Sequence, residues 1–299
     1  MGRLRQFVAE NVYAKLFRSP HWRVGWRHVS GPDLWDTQSL ADTRWNRLPD
    51  PGIRFFADPM AIAHGGRTIL FVEDFHHHRQ KGVISAVELT PAGPVGPVRQ
   101  VLEEPWHLSY PHVFEHDGAI WMIPESCENR EVVLYRADPF PDRWTREAVL
   151  IDGMPLTDAT LVQHDGLYWL LATLENPGSA SADLCLFHAA SLFGPWRPHP
   201  GNPVLHDART ARSAGPIVRR DGRLWRPVQD CSHHYGAAVG LAEITRLDTA
   251  GYEQNVRNTL APCQAWPGRR LHTLSQCGGF EFIDGSANVL RWSPFAGGT

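Results

Sequence analysis

A turn followed by a strand returns five times along this chain, and this repeat limits the possible folds more than any other feature. In each copy a glycine ends a short turn and leads into a run of apolar residues typical of a β-strand. The glycines are Gly66, Gly118, Gly166, Gly222 and Gly285, at intervals of 52, 48, 56 and 63 residues. A period of about 50 residues with a hairpin in every unit indicates a β-propeller, so five units predict five blades.

Two segments lie before the first repeat. In residues 1–18 the apolar side chains fall near one face of a helix: Leu4, Phe7, Val8, Val12, Leu16 and Phe17. We expect this short helix to pack on the domain, and a helix that binds a membrane surface or a partner is the alternative. Residues 21–26 read as a strand that joins the last blade and closes the ring, which removes exposed sheet edges. The predicted organisation is an all-β, five-bladed β-propeller over residues 19–299 with a short N-terminal helix.

Composition narrows the class of protein. Hydrophobic residues make up 42% and charged residues 20% of the 299 residues, which suits a packed core. The net charge of -3 gives no electrostatic footprint for nucleic acid. The five cysteines form no C-x-x-C pair, which favours a reducing compartment, and we expect the cytoplasm. No apolar run is long enough to span a bilayer, and the N-terminus lacks the apolar core of a signal peptide.

The repeat places polar side chains at equivalent positions. The first strand of each blade lines the central channel of a propeller, so residues at one repeat position form a ring around the axis. Eight residues before the turn glycines stand Asp58, Tyr110, Asp158, Ala214 and Cys277. Seven residues after them stand Glu73, Glu125, Thr173, Gln229 and Trp292. The two rings therefore predict four carboxylates around one channel.

These four carboxylates have two interpretations. A single Asp at the start of a strand is often only a turn cap. Two Asp at one repeat position, matched by two Glu at another, favour a functional site. Carboxylates packed around a narrow channel repel one another and lose solvation, so we expect their pKa values to move apart. One carboxyl can then act as an acid and another as a base, as glycoside chemistry requires.

Short motifs resemble those of a known group of propellers. Ala57-Asp58-Pro59 in blade one, Asp158 in blade three and the segment 194–204 resemble the five-bladed glycoside hydrolases of the arabinanase and β-xylosidase type. A more specific resemblance covers about residues 50–250 and is to the propeller domain at the N-terminus of plant glucosamine inositolphosphorylceramide transferases. The phrases that carry it lie at residues 109–114, 122–125, 158–160, 211–216, 229–231 and 235–236.

The resemblance implies roles for individual residues. Asp58 resembles the general base of the arabinanase type, and Asp158 resembles the carboxylate that orients and tunes the acid. Those hydrolases place the acidic Glu at the start of blade four, where this chain has Ala214. We therefore take Glu125 as the first candidate for the acid and Glu73 as the second. The predicted catalytic residues are Asp58, Asp158 and Glu125.

Other polar residues near the predicted channel are candidates for substrate binding: Glu73, Tyr110, His112, Arg212, Gln229, Asp230 and His272. The run His76, His77 and His78 is expected to form an exposed loop rather than a metal site. No metal-binding motif occurs, so we predict no cofactor. The resemblance to propeller hydrolases leaves room for a structural cation on the axis.

Three functions are compatible with these residues. The first is a glycosidase-like enzyme of inverting type that cleaves or transfers a glycosyl unit of a glycan or glycoconjugate, with Asp58 activating water. The second is a non-catalytic glycan-binding or scaffold propeller that accompanies polysaccharide or glycolipid biosynthesis, which the missing acid in blade four favours. The third is a protein-interaction propeller, which predicts an apolar face and no concentration of acids at the axis.

Overall fold

Regular structure in this protein is almost entirely β. The computed structural model describes residues 17–175 and 183–290. Within them the strands form five antiparallel sheets, which are the five blades of a propeller, and the predicted fold class is confirmed. In these two ranges the helical content is one α-helix of four residues and one short 3-10 helix, Cys127–Asn129.

The strands follow the chain in order around the ring. The chain begins with β1 (Phe17–His28), α1 (Leu34–Thr37) and β2 (Asn46–Arg47). Blade one contains β3 (Arg54–His64), β4 (Arg67–His76), β5 (Lys81–Thr90) and β6 (Gly93–Leu102). Blade two contains β7 (Ser109–His116), β8 (Ala119–Glu125), β9 (Glu131–Ala137) and β10 (Trp144–Asp152). Blade three contains β11 (Leu156–His164), β12 (Leu167–Leu174), β13 (Asp183–Ala189), β14 (Arg197–Pro198) and β15 (Leu205–His206).

The last two blades differ from the first three. Blade four contains β16 (Arg212–Ser213), β17 (Val218–Arg220), β18 (Arg223–Asp230), β19 (Ala238–Asp248) and β20 (Gly251–Leu260). Its innermost strand is interrupted, because β16 and β17 pair separately with β18. Blade five takes β21 (Leu274–Cys277) and β22 (Phe280–Leu290) from the end of the chain and pairs β22 with β1 and β1 with β2. Strand β1 thus contains residues 21–26 and completes the last blade as expected.

The hairpin of blade five is not where the sequence repeat suggested. The turn is Gly278-Gly279, whereas Gly285 lies inside β22 opposite Arg23 of β1. Gly285 instead allows β22 to pass close to Trp266, because a Cβ at this position would lie 2.5 Å from Trp266 Nε1. The predicted fifth member of the first ring, Cys277, is therefore wrong. Cys277 ends β21 beside the turn, and Trp292 lies outside the described residues.

The predicted N-terminal helix falls mainly outside the described residues, which begin at 17. Its last two positions, Phe17 and Arg18, belong to β1. Among residues 17–175 and 183–290 no helix has the length and apolar character needed to cross a membrane.

A bulge recurs in the innermost strands of the first three blades. Strand pairing shifts register just after residues 57, 109 and 157. Asp58, Tyr110 and Asp158 have φ values of 49°, 43° and 51°, a left-handed conformation that is uncommon for residues other than glycine. In blade four Gly215 has a φ of 139°. The bulge residues contact one another across blades, since Tyr110 N donates to Asp58 Oδ2 at 3.2 Å and Gly215 N donates to the Tyr110 hydroxyl at 3.0 Å.

The apolar core lies between neighbouring blades rather than at the axis. Phe71 of blade one packs in one cluster with Met122 of blade two, and Ile123 of blade two packs with Leu170 of blade three. Blade five closes on blade one through a cluster that includes Phe282 and Leu70. The apolar faces of the sheets therefore pack against neighbouring blades, and polar side chains lie at the centre of the ring.

Candidate functional site

A cavity of about 370 Å³ opens at the centre of the ring, within the usual size range of small-molecule sites. Three carboxyl groups and one guanidinium contribute to its wall, together with histidines and aromatic rings. The lining residues are Pro20, Trp22, Phe55, Asp58, Glu73, Phe75, His77, Gln80, His107, Ser109, Glu125, Arg212, Tyr235 and His272. Five of the predicted site residues, Asp58, Glu73, Glu125, Arg212 and His272, are thus brought together.

The carboxylate of Asp58 is held by two hydrogen-bond donors, one from blade two and one from the residue that precedes β21 of blade five. Its Oδ1 accepts a hydrogen bond from Thr273 Oγ1 at 3.0 Å, and its Oδ2 accepts from Tyr110 N at 3.2 Å. His272 Nε2 lies 3.8 Å from Asp58 Oδ1. Burial raises the pKa of Asp58 to about 6; His272 opposes this rise, and the nearby Asp284 carboxylate adds to it.

Asp284 is a fully buried carboxylate at a position where the sequence repeat predicts a turn. It accepts hydrogen bonds from the backbone N–H groups of Asp58, His272 and Thr273, at 3.1, 3.1 and 3.0 Å. His272 Nδ1 lies 2.7 Å from its Oδ2. Although burial alone would lower the pKa of His272, Asp284 and then Asp58 raise it. The signal that could have found Asp284 is Gly278-Gly279, which is itself a hairpin signature.

Glu73 is a buried acid of the cavity that lies near other acids. It is only 8% exposed, and His107 Nε2 lies 3.5 Å from its Oε1. Burial, followed by the charges of Asp58 and Glu125, raises the pKa of Glu73 well above its usual range. The site therefore favours the neutral, protonated form of this carboxyl group.

Glu125 has a different environment. Its Oε2 accepts a hydrogen bond from Ser109 Oγ at 2.6 Å, and its Oε1 accepts from Cys127 N at 2.8 Å. Both carboxyl oxygens of Glu125 therefore act as hydrogen-bond acceptors.

Asp158 lies behind the cavity wall rather than in it. Arg212 Nε donates to its Oδ2 at 2.5 Å, and Gln229 Nε2 lies 3.3 Å from the same oxygen. Burial raises the pKa of Asp158, while Arg212 opposes the rise. The Arg212 guanidinium faces the cavity and lies 5.0 Å from the centre of the Tyr235 ring. The group that faces the cavity at this point is therefore a cation held by Asp158.

Four residues predicted to bind substrate do not line the cavity. The Tyr110 hydroxyl lies 2.7 Å from Thr160 Oγ1, and the ring belongs to the core between blades one and two. His112 Nε2 accepts from Leu161 N at 3.1 Å, and burial lowers the pKa of His112 to about 4.

The other two lie in blade four. Gln229 is buried and donates to Ser213 O at 2.8 Å. Asp230 accepts from Ser232 N at 2.9 Å and from its hydroxyl at 2.6 Å, beside a different, smaller depression. These four side chains form hydrogen bonds with backbone and neighbouring groups. The repeat position alone does not predict these contacts.

The histidine run is only partly the exposed loop that was expected. His78 is exposed, but His77 turns into the cavity wall, so the expectation is wrong for this residue. Trp22, Phe55 and Phe75 also line the cavity and were not predicted as site residues. Trp22 comes from β1, 250 positions from its neighbour His272, on whose ring it stacks at 3.8 Å.

Blade four contributes no carboxyl group at the repeat position of Asp58. Ala214 is fully buried; its N–H donates to Pro227 O at 2.9 Å and its carbonyl accepts from Leu274 N at 2.7 Å. This backbone pairing joins the inner edge of blade four to blade five.

One group of side chains has the composition of a metal site. Asp58, His272 and Asp284 each offer one ligand atom, and these atoms lie within 4.8 Å of one another. The two Asp284 oxygens already accept three backbone hydrogen bonds and face the His272 ring. Because these donors satisfy the carboxylate, the group does not call for a cation.

Solved structures with the same fold define the class of this domain. A thermostable family-43 glycoside hydrolase aligns with a TM-score of 0.52 at 15% identity, over 72% of this chain and 78% of that chain. An exo-beta-1,3-galactanase from Clostridium thermocellum aligns with a TM-score of 0.51 at 12% identity, over 73% of this chain and 53% of that one. At such identities the likeness shows the fold: a five-bladed propeller of the glycoside hydrolase type.

Sequence comparison gives the family. Residues 48–278 match the family described as "Glucosamine inositolphosphorylceramide transferase 1, N-terminal", so the chain belongs to this family, and the predicted resemblance is confirmed. The transferase of that name from Oryza sativa subsp. japonica is 36% identical over 230 residues, which are 74% of this chain and 31% of the relative. The one from Arabidopsis thaliana is 34% identical over 272 residues, 86% and 35%. This chain spans about a third of the length of these relatives.

Proposed function

We propose that the central cavity binds a glycosyl unit of a glycoconjugate and catalyses cleavage or transfer at its anomeric carbon. The observation that carries this proposal is the set of three carboxyl groups around one cavity, two of which have pKa values shifted to different extents. Such a separation lets one fold supply an acid and a base at the same pH.

The environments of the carboxyl groups suggest which one acts as the base and which one acts as the acid. Asp58, with a pKa of about 6, is mostly ionised at neutral pH and suits the base. Glu73, whose pKa is raised further by burial and by two neighbouring acids, suits the proton donor. Glu125 is less suited to that role, because both of its oxygens accept hydrogen bonds. We therefore place Glu73 ahead of Glu125 as the acid.

The chemical step needs only these two groups. Asp58 takes the proton from a water, or from an acceptor hydroxyl in a transfer reaction, as that oxygen bonds to the anomeric carbon. Glu73 gives its proton to the departing glycosidic oxygen, which keeps the bonding electrons. Arg212, held by Asp158, can bind an oxygen of the substrate. Inverting pairs of this type are about 6.5–9.5 Å apart, which leaves room for the water.

The substrate class is proposed from the relatives. Their names describe a transferase of glucosamine and inositolphosphorylceramide, a phosphosphingolipid that becomes a glycolipid once a sugar is attached. A glycoconjugate of this general kind would present a sugar to the cavity, where Trp22 and Tyr235 contribute aromatic surface.

A second candidate function is glycan binding without chemistry. Ala214 favours it, because blade four lacks the carboxyl that propeller hydrolases of the arabinanase type are expected to carry there. In this case the cavity would hold a sugar for an enzymatic domain elsewhere.

A panel of aryl glycosides and glycolipid head groups tests both candidates. The wild type should turn over at least one of them, and Asp58→Asn and Glu73→Gln should each lower kcat/KM by about 10²–10⁴-fold. Asp230→Asn, which changes a carboxylate outside the cavity, is the matched control and should retain activity. Binding without turnover across the panel would favour the second candidate. Absence of both binding and turnover would contradict both.

A further inference from the structure

The loop between blades one and two brings His107 to the cavity wall. The backbone N–H of His107 donates to Glu128 Oε2 at 2.8 Å, and the N–H of Leu108 donates to Gly82 O at 3.1 Å. The His107 ring is tilted by 56° to the ring of Phe75, and the ring centres are 6.0 Å apart. The loop is therefore tied to blade two through Glu128 and to blade one through Gly82.

A backbone hydrogen bond decides which nitrogen of His107 carries the ring proton. The N–H of Gly82 donates to His107 Nδ1 at 2.9 Å. Because a nitrogen that accepts this bond must present its lone pair, the proton of the neutral imidazole is on Nε2. His107 Nε2 lies 3.5 Å from Glu73 Oε1. The one N–H group of this imidazole therefore lies beside the carboxyl group that we propose as the acid.

Gly82 also packs against both of these side chains. A Cβ at this position would lie 2.7 Å from His107 Cε1, 3.0 Å from Glu73 Oε1 and 2.5 Å from Leu108 O. Glycine leaves the room in which the imidazole and the carboxyl group approach each other. The backbone of β5 therefore holds His107 and Glu73 as a pair, in addition to fixing the tautomer of the imidazole.

The distance between His107 and Glu73 suits an acid that is still protonated. A neutral carboxyl group attracts a donor weakly, and an ordinary N–H···O hydrogen bond is about 2.9 Å long. When Glu73 loses its proton, its new negative charge attracts the N–H group, and hydrogen bonds at catalytic sites often shorten in this way. Burial and the charges of Asp58 and Glu125 all disfavour that negative charge, so a donor beside it matters.

We infer that His107 is a positioning residue that stabilises Glu73 after proton transfer: its Nε2–H donates a hydrogen bond to the carboxylate that forms when Glu73 protonates the departing glycosidic oxygen. The proton of Glu73 goes to that oxygen, the electron pair of the broken O–H bond stays on the carboxylate, and His107 keeps its own proton. This role rests on the proposed function, because it requires Glu73 to be the acid. The contact between the two side chains stands on the geometry alone.

Two substitutions distinguish this role from a purely structural one, which would need only the hydrogen bond from Gly82. His107→Asn places an amide near the position of Nδ1, so it can accept from Gly82 but does not reach Glu73. His107→Gln places an amide N–H near the position of Nε2, so it can donate to Glu73 but loses the acceptor beside Gly82. A structural role predicts that Asn is the better replacement, whereas positioning of Glu73 predicts that Gln is better.

Carboxyl ¹³C NMR of the full chain with labelled glutamate tests the contact without a substrate. The signal lost in Glu73→Gln identifies Glu73. Its apparent pKa should rise by about one to two units in His107→Asn, the effect of one hydrogen bond to a charged group, and should stay near the wild-type value in His107→Gln. His78→Asn, at an exposed histidine, is the control and should leave the titration unchanged. An unchanged pKa in His107→Asn, or ¹⁵N spectra that place the wild-type His107 proton on Nδ1, would overturn the contact.

The dependence of activity on the leaving group tests the role in chemistry. His107→Asn should lower kcat/KM about threefold to tenfold for alkyl glycosides and glycolipid head groups, whose departing oxygen needs a proton. Dinitrophenyl glycosides, whose leaving group needs little protonation, should react nearly as fast as with the wild type, and His107→Gln should recover most of the loss. Equal losses on both kinds of substrate would overturn this role. If the wild type turns over no glycoside, the proposed function fails and this role with it, while the carboxyl titration still decides the contact.

Discussion

Asp58 combines an unusual backbone conformation with a carboxyl group that lines the cavity. Its φ of 49° is tolerated better by Asp than by most residues, because a short polar side chain can hydrogen-bond locally. The same bulge directs the carboxyl to Thr273 and to the cavity. Burial then shifts its pKa upwards, so the ionised Asp58 carboxylate destabilises the fold at neutral pH.

This shift predicts a pH-dependent gain in stability for Asp58→Asn. The folded-state pKa of about 6 exceeds the ordinary value of 3.8, so the stability contributed by Asp58 is fully present below pH 4 and is lost as the pH rises through 6. The neutral Asn does not titrate. The difference in unfolding free energy, variant minus wild type, should therefore rise by about 2 kcal/mol between pH 4 and pH 7 in denaturant titrations. Parallel pH profiles for the two proteins would contradict the raised pKa.

The recurring bulge matters most at the level of elements, because it links the inner strands of adjacent blades. In blade four the corresponding position has room only for glycine. Gly215 has a φ of 139°, its N–H bonds to the Tyr110 hydroxyl, and a Cβ there would lie 2.1 Å from Leu274 O. The contact between blades four and five is therefore backbone to backbone, with no space for a side chain.

A comparison of Gly215→Ala with Gly222→Ala distinguishes the stability lost through the close contact between blades from the stability lost through a positive φ at alanine. Both glycines have positive φ, but a Cβ at Gly222 would meet nothing within 4 Å. Gly222→Ala should cost about 1–2 kcal/mol for the left-handed backbone. Gly215→Ala should cost a further 1–3 kcal/mol or more, because the blades must move apart. Unfolding in urea measures both values, and equal losses would argue against the tight contact.

On the scale of the whole molecule, ring closure depends on strands from both ends of the chain. The family match covers residues 48–278, which excludes β1, β2 and β22. Those three strands supply most of blade five, and β1 also brings Trp22 to the cavity and His21 to His77. Fold and site therefore both extend beyond the matched segment.

A fragment of residues 48–278 should consequently fail to fold as a closed propeller. We expect aggregation or a non-cooperative thermal transition by circular dichroism, because β21 would lose its partner strand β22 and the apolar face of blade one that packs on Phe282 would be exposed. A fragment of residues 17–290 is the control and should unfold in one cooperative transition. A cooperative transition in the shorter fragment would show that four blades suffice.

The blade number and the main acids of the site follow from the amino-acid sequence. Hairpin chemistry is local, so four of the five turns could be located from Gly and Asp-Gly signals. Equivalent repeat positions occupy equivalent places around an axis, which is why the repeat alone predicts that Asp58, Glu73 and Glu125 lie around one channel. The same periodic argument also chose Tyr110 and Gln229, which point into the core and into a hydrogen-bond network.

The remaining features of the site depend on tertiary packing, because the contacts that produce them join residues far apart in the chain. Gly278-Gly279 and Asp284-Gly285 are both plausible hairpin turns, and packing of Trp266 against Gly285 selects the first and leaves Asp284 buried. Arg212, 54 positions from Asp158, withdraws that carboxylate from the cavity. His77 enters the wall beside His21, 56 positions away. Periodicity predicts which residues share a level of the propeller, but only packing and charge pairing decide which of them face the ligand.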